Sequence, residues 1–405
     1  MIAASPAMQI LSILSWLLAA VWLAHAIRVV LGMATLPDVS ASEAHDSLAT
    51  DEGNGDEGEI TVVVPARDEE ASIVATLRSL LASTGVRLQI IAVNDRSTDE
   101  TGARMEDVAA EFSATGGSHT LQVLHVSELP SGWLGKPHAM AIAAQQAHSP
   151  WLLFTDGDVL FRSQALQVAL REAKARGADH LVLTPTVILK SASERAMLAT
   201  MNALSQWMIR LWKVPDQHAK DYIGVGAFNL MRRDVYERLG GFEALRMEVL
   251  DDLRMGWLIK RAGYKQCVIL GRDLVRLRWL HSAFGVVRLA EKNGFAAYRY
   301  RVELTLLASL GLLTVAVLPL MAIAAGGWPL IAGLLMYVAV ALIFWSNRKV
   351  TAAPPWLAIL YAPATLVVLY ALLRSMTLAL VRQGVEWRGT RYSLSEIRRY
   401  AGRGW

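Results

Sequence analysis

The chain has 405 residues, 54% of them hydrophobic and only 19% charged, with a mean hydropathy of +0.33. Soluble domains carry about 25% charged residues, so this balance points to a membrane protein and excludes disordered, collagen-like and disulfide-scaffold chains; the single cysteine, Cys267, cannot form an intramolecular bridge. The net charge of +4 comes with arginines gathered near apolar stretches, a placement that suits anionic lipid headgroups and not a nucleic-acid groove.

In chain order, the first apolar run extends from Ile10 to Leu31, with His25 and Arg28 its only ionisable residues. A membrane span needs roughly 20 apolar residues at 1.5 Å rise each. No basic residue precedes the run and Arg28 ends it, the reverse of a secretory signal, so residues 1–36 are expected to form a membrane anchor. Residues 37–59 carry eight acidic side chains, no Lys or Arg, and a Gly-Asn-Gly-Asp-Glu-Gly centre. They are expected to form a flexible linker.

Ordered patterning then begins abruptly. Ile60–Val64 is a β-branched run, and Glu69–Ser83 has helical spacing through Ile73, Leu77, Leu80 and Leu81. Leu88–Val93 predicts a second strand, followed by the turn Asp95–Asp99 and a helix through Phe112. Leu121–Val126 and Trp151–Thr155 predict two more strands around a helix near Pro137–Gln146. Strands alternating with helices imply an α/β domain with a mostly parallel sheet, expected over residues 60–300. Such a sheet binds ligand at the carboxyl ends of its strands.

Three further apolar runs, Leu304–Ala325, Trp328–Trp345 and Trp356–Leu380, predict C-terminal membrane helices over 301–381, ahead of a basic tail over 382–405. Arg28, Arg299, Arg301, Arg348 and Lys349 flank the spans, and the positive-inside tendency puts the soluble domain in the cytoplasm with the N-terminus outside. A full span by the last run would export a tail rich in arginine. Pro363 and Arg374 within that run favour a re-entrant course instead, with a simple span as the alternative.

The strand ends carry the chemistry. They read Pro65-Ala66-Arg67-Asp68-Glu69, Asn94-Asp95-Arg96-Ser97 and Asp156-Gly157-Asp158, with Gly135-Lys136 after the third strand. Acids gathered on one rim repel each other, and a divalent cation relieves this. Two carboxylates spaced i, i+2 can share a hard cation that also holds a diphosphate, and Lys136 adds a point charge. Taken singly, each has a bland reading. Asp156-Gly157-Asp158 suits a solvated turn, Asp68 and Glu69 suit a helix start, and Asp95 with Ser97 suits a cap. Their joint placement favours a site.

The series VVVPARDEE (62–70), VNDRSTDET (93–101), GWLGKPHAM (132–140) and FTDGDV (154–159) resembles the family 2 glycosyltransferases, as do GVGAFNLMRRDVYERLGGF (224–242) and EVLDDLRMGWLIKRAGY (248–264). The resemblance implies a GT-A nucleotide-sugar-binding fold and an integral protein of the cytoplasmic membrane, a polytopic member that glycosylates lipids. It implies that Pro65, Arg67, Glu69 and Asp95 line the nucleoside side of a donor pocket, with Asp95 accepting from a uracil-type ring N–H. Lys136 would approach the diphosphate, Asp156 would lie near the ribose and metal, and Asp158 would bind Mg²⁺ or Mn²⁺. Asp252, beside Asp251, would be the general base that activates an acceptor hydroxyl, giving inversion at the anomeric carbon. The partners implied are a nucleotide-sugar donor, a UDP-sugar by family resemblance, a membrane lipid acceptor and the bilayer. A polyisoprenoid, a terpenoid or a glycerolipid would suit as acceptor.

The match has departures. Asn94 stands where many members have Asp, and Asp251 where Glu is common. Arg388-Gly389-Thr390-Arg391-Tyr392 only approximates the arginine motif of processive polysaccharide synthases. Such a synthase is the alternative function. Arg388 and Arg391 are candidates to reach the diphosphate, against a simpler role as an interfacial tail anchored by Trp387 and Tyr392. Arg272–Arg288 alternates basic and apolar residues and reads as either an interfacial element or ordinary core. A helix N-cap is the structural alternative for Asp252.

Overall fold

The computed structural model describes residues 5–39, 58–114 and 116–401; most of the expected acidic linker (40–57) and the last residues of the tail lie outside these. The first apolar run folds as α1 (Pro6–Met33), which starts where the Ser5 hydroxyl accepts from Met8 N at 3.4 Å and Pro6 occupies the first turn.

The soluble part follows as β1 (Gly58–Ala66), α2 (Ile73–Leu81), β2 (Val86–Asp95), α3 (Thr101–Ser113), β3 (Thr120–Val126), α4 (Gly135–Ala144), β4 (Trp151–Phe154) and β5 (Val159–Phe161). After these come α5 (Ala165–Ala175), β6 (His180–Thr184), β7 (Thr186–Val187), α6 (Ala192–Ser205), β8 (Asn229–Arg232), α7 (Arg233–Arg238), α8 (Asp251–Arg261), β9 (Gln266–Leu270) and β10 (Val275–Leu277). Seven strands form one sheet in the order β3-β2-β1-β4-β8-β6-β9. β1, β2, β3 and β4 are mutually parallel, β6 pairs parallel with β9, and β8 runs antiparallel between the two groups.

Successive residues of a strand face opposite sides. Ile60, Val62 and Val64 therefore meet Ile73, Leu77 and Leu80 on one face, while Val63, Ile91 and Val93 meet Met140 and Phe154 on the other. Both faces are covered, which explains why these strands read as continuous apolar runs. β1 extends past Pro65, further than the sequence predicts. The reason is local: β4 partners β1 only as far as Val63, so the missing N–H of Pro65 costs no ladder bond on that side.

The remaining chain forms α9 (Gly285–Ala297), α10 (Val302–Ala325), α11 (Gly327–Ser346), α12 (Tyr361–Val381), the hairpin β11 (Gly384–Trp387) and β12 (Thr390–Ser393), and α13 (Leu394–Ala401). Among the described residues, four segments are long and apolar enough to cross a membrane: α1, α10, α11 and Pro355–Val381. The chain on either side of the last of these is tied to residues outside the four segments. Before it, Asn347 and Gln206 exchange side-chain hydrogen bonds of 2.8 and 3.1 Å, and Lys349 pairs with Asp38 at 2.5 Å. After it, Arg382 joins Arg374 in pairing with Glu291, at 3.1 and 2.7 Å.

The stretch Arg272–Arg288 is not one interfacial element. Its centre is β10, which pairs with β5 and β7 and buries Val275 and Leu277. Trp279, at 36% exposure, and Phe284, at 68%, project from it as large apolar surface groups. The alternation of basic and apolar residues was the period-2 signature of a strand with one face in the core.

Candidate active site

The carboxyl ends of β1, β2 and β4 lie side by side and open into a cavity of about 240 Å³. Pro65, Arg67, Glu69, Asp95, Lys136, Asp156, Asp158 and Arg388 all line it. Turn contacts lock the rim. Thr98 N donates to Asp68 Oδ1 at 2.8 Å, Asp68 N donates to Ser97 at 3.1 Å, and Glu69 N donates to Thr101 at 2.8 Å. These bonds fasten the turn after β1 to the turn after β2.

Asp95 is buried, and Arg96 donates to both of its oxygens, at 2.7 and 3.1 Å. The sequence reading gave Asp95 alone; Arg96 is its structural partner, and a carboxylate so engaged still has lone pairs to offer. Arg67 donates to Thr390 at 3.2 Å, while its Nε is buried without a hydrogen-bond partner among the described residues. An unmatched donor at the mouth of a cavity is a place for a ligand oxygen.

Lys136 Nζ lies 2.5 Å from Asp156 Oδ1 and 4.0 Å from Asp251 Oδ2. Burial opposes the ammonium charge, but Asp156, Asp251 and Asp252 outweigh it and raise the lysine above its usual range. Burial likewise opposes ionisation of Asp156, and Lys136 reverses the balance to hold it low. Asp158 differs. Burial, reinforced by Asp156 and Glu69, pushes it up to about 6. A carboxylate crowded by like charges in a dry site is what a divalent cation relieves. Among the described residues no three acidic, His or Cys side chains gather tightly enough to cage a metal by themselves. One or two carboxylates fit a cation whose remaining ligands are phosphate and water.

Asp251 and Asp252 open α8 and border a second cavity of about 790 Å³, which shares Lys136, Asp156, Lys292, Trp387 and Arg388 with the first. Its other walls are largely apolar, including Leu198, Ile209, Leu211, Ile223, Val249, Leu277 and Trp279. Asp252 does not cap its own helix in the usual way. Its Oδ2 accepts from Gly226 N at 2.7 Å and its Oδ1 from Leu253 N at 2.7 Å. Burial raises Asp251 well above the ordinary carboxylate range, Asp252 adding to it against the pull of Lys136.

The Gly-Val-Gly segment has a packing reason. A Cβ on Gly224 would stand 1.8 Å from the Asp252 carbonyl oxygen, and one on Gly226 would stand 2.8 Å from Asp156 Oδ2 and 3.2 Å from Lys136 Nζ. Bare backbone therefore separates the Lys136–Asp156 pair from Asp252. Gly135 plays the same part beside Asp95, whose Oδ2 would lie 2.3 Å from a Cβ there.

The hairpin β11–β12 closes the small cavity from outside the sheet. Arg388, at φ 46°, donates to the Arg67 carbonyl and to Glu69, and Gly135 N donates to the Tyr392 hydroxyl at 3.4 Å. Arg391 does not join it. Strand alternation turns Arg391, opposite Glu386, away from the face that Tyr392 presents, and its guanidinium donates to the Arg382 carbonyl. Sequence reasoning missed Arg96 and Lys292. Arg96 was legible as the residue beside Asp95, whereas Lys292, in a helix without a motif, gave no signal.

The model of the family described as "Glycosyltransferase like family 2" matches residues 57–296. The 4,4'-diaponeurosporenoate glycosyltransferase of Staphylococcus aureus strain N315 is 23% identical over 264 residues, 65% of this chain and 68% of its own length. The protein of the same name from strain MRSA252 is 22% identical over the same shares. Among solved structures, the mannosyltransferase PcManGT from Pyrobaculum calidifontis, in complex with GDP-Man and Mn²⁺, is similar with a TM-score of 0.50 and 17% identity, over 92% of this chain and 99% of that one. The fold is thus GT-A, and the acid-lined rim, the paired aspartates of α8 and the family match together make this chain an enzyme that belongs to the family 2 glycosyltransferases.

Proposed function

We propose that the chain is a metal-dependent, inverting glycosyltransferase that moves one sugar from a nucleoside-diphosphate donor to a hydroxyl of a membrane lipid. The observation that carries this reading is the junction of the two cavities. A small charged cavity at the strand ends meets a larger, mostly apolar one at Lys136, Asp156 and Arg388, with Asp251 and Asp252 on the apolar side. The larger cavity includes Val350, just after α11, and residues of α9, so its walls continue into the membrane-associated part. That suits an acceptor delivered from the bilayer. The carotenoid-type acceptor in the name of the staphylococcal relative supports a terpenoid or polyisoprenoid over a water-soluble sugar.

In this reading Pro65, Arg67, Glu69 and Asp95 hold the nucleoside end, and Lys136 and Arg388 face the diphosphate. Asp158, with Asp156, would hold Mg²⁺ or Mn²⁺, which when bound neutralises charge on the departing diphosphate. Asp252, fixed through both oxygens by backbone N–H groups, takes the proton of the acceptor hydroxyl. The acceptor oxygen then bonds to the anomeric carbon as the bond to the diphosphate oxygen breaks on the opposite face. Arg391 facing away leaves Arg388 as the one arginine of its motif at the donor, which supports transfer of single sugars over processive synthesis.

The domain faces the cytoplasm in this proposal, where nucleotide sugars are made. The Pro355–Val381 segment re-enters in this reading, which is supported by ties from the chain on both sides of it to residues outside the membrane segments, Lys349 to Asp38 before it and Arg382 to Glu291 after it. The test is a thermal-stabilisation panel of uridine and guanosine nucleotide sugars with Mg²⁺ or Mn²⁺ on the full chain in detergent, followed by mass spectrometry of lipids from membranes with and without it. Stabilisation by one nucleotide series and a new glycolipid are expected, and Asp158→Ala should lose the metal-dependent part of the stabilisation. A panel without any hit, or a product carrying a ladder of sugars, overturns the reading.

A further inference from the structure

Lys292 sits on α9, the helix between the sheet domain and the first membrane hairpin. Its side chain borders both cavities, and its ammonium lies 3.8 Å from the centroid of the Trp387 ring. Among the described residues it makes neither an ion pair nor a hydrogen bond. The acids around it are engaged elsewhere: Asp156 and, more loosely at 4.0 Å, Asp251 with Lys136, Asp252 with two backbone N–H groups, and the adjacent Glu291 with Arg374 and Arg382. The other cations of the small cavity have carboxylate partners too: Arg96 has Asp95, Arg388 has Glu69, and Arg67 has Asp68 at 3.9 Å, without a hydrogen bond at Nε among the described residues. Lys292 is therefore the one cation of the junction without an anionic partner among the described residues.

A half-buried ammonium without a carboxylate is costly unless an anion arrives. Burial, with Lys136 adding to it, holds Lys292 down to about 8, in keeping with that shortage. A cation–π contact with an indole fixes the ammonium's position but supplies no counter-charge. The junction is where the donor's terminal phosphate must lie if the nucleoside occupies the rim and the acceptor occupies the apolar cavity.

We infer that Lys292 binds the outer phosphate of the donor's nucleoside diphosphate, so that the membrane-proximal helix α9 supplies part of the leaving-group site. This rests on the donor-site reading above. The contact ties that site to the membrane segment, since the neighbouring Glu291 clamps α9 to α12 through Arg374 and Arg382. A charged hydrogen bond of this kind has a net worth equivalent to a ten- to hundredfold change in affinity, roughly.

The test compares nucleoside diphosphate with monophosphate, which differ only in the phosphate concerned. Full-length protein in detergent with Mg²⁺ is titrated with UDP and UMP, and in parallel with GDP and GMP, as wild type, Lys292→Gln and Lys292→Arg. Lys292→Gln is expected to weaken diphosphate binding roughly ten- to hundredfold and leave the monophosphate within about twofold, and Lys292→Arg to recover most of the loss. Unchanged diphosphate affinity in Lys292→Gln overturns the inference. So does an equal loss for both nucleotides, which would mean that the lysine only shapes the pocket. A wild-type protein that binds neither diphosphate removes the donor-site reading itself.

Discussion

The two cavities are built by different means. The small one is rimmed by the ends of neighbouring parallel strands, where Arg67, Arg96 and Asp156 sit one or two residues beyond a strand, with Lys136, Lys292 and Arg388 reaching in from helices and the hairpin. The large one is walled by α6, the loop around Ile223, the start of α8, α9 and the chain after α11, which come together only through tertiary packing. A stiff sheet edge suits recognition of charge, which tolerates little error in distance. An apolar chamber between packed helices suits a flexible acceptor, whose recognition depends on area and shape.

The sharpest way to break this division is Asp252→Asn. The amide keeps the shape beside Gly226 and removes the base. Transfer is expected to fall by about 10²- to 10⁴-fold, while donor binding in the small cavity stays near the wild-type value by calorimetry. If transfer survives the change, activation of the acceptor does not depend on this carboxylate, and the large cavity loses its chemical role. A smaller effect should follow from Ile209→Trp. Ile209 is half-buried on the wall of the large cavity and remote from the charged rim. The indole would fill acceptor space, so the acceptor KM should rise roughly tenfold, equivalent to ~1.4 kcal/mol, with the donor KM unmoved. A rise in donor KM would show the two chambers to be one.

The same division explains what was legible in the sequence. Strands, crossover helices and the four apolar segments follow from local pattern, and the motifs that resemble the family end on the rim that the sheet brings together. Asp156 and Asp158 could be placed because they follow a four-residue apolar strand directly. Arg391 could not be placed correctly from its motif, since a one-residue step along a strand reverses the face. The Arg272–Arg288 stretch stayed open between two readings for a related reason: basic and apolar residues alternate equally well on a sheet surface and at a bilayer. Lys292 and the apolar walls of the large cavity were invisible because that cavity is assembled from segments far apart in the chain, around Leu198, Ile223, Asp251, Lys292 and Trp387. A helix with Glu291, Lys292 and Asn293 looks like any solvated face until Trp387, almost a hundred residues later, is laid against it.

The smallest expected effect tests whether the large cavity is held by long-range clamps. Asp38, with its side chain 14% exposed, accepts from Lys349 at 2.5 Å and from Arg272 at 2.9 Å, joining the chain after α1 to the chain after α11 beside Val350 of the cavity wall. Burial disfavours the carboxylate, but the hydrogen bonds from Lys349 and Arg272 outweigh it and set its pKa below the usual value. A depressed carboxylate stabilises the fold above the unfolded pKa, near ~3.9, and that contribution is lost as pH falls through the lower folded pKa. Both partners are partly solvated, so the clamp contributes ~1 kcal/mol at most. Asp38→Asn should lower the thermal midpoint by roughly 1–3 °C at pH 7, and the gap from wild type should close as the pH is taken below 4. In transfer assays the same variant should raise the acceptor KM up to about twofold and leave nucleotide binding alone, because only one of the two chambers leans on this clamp.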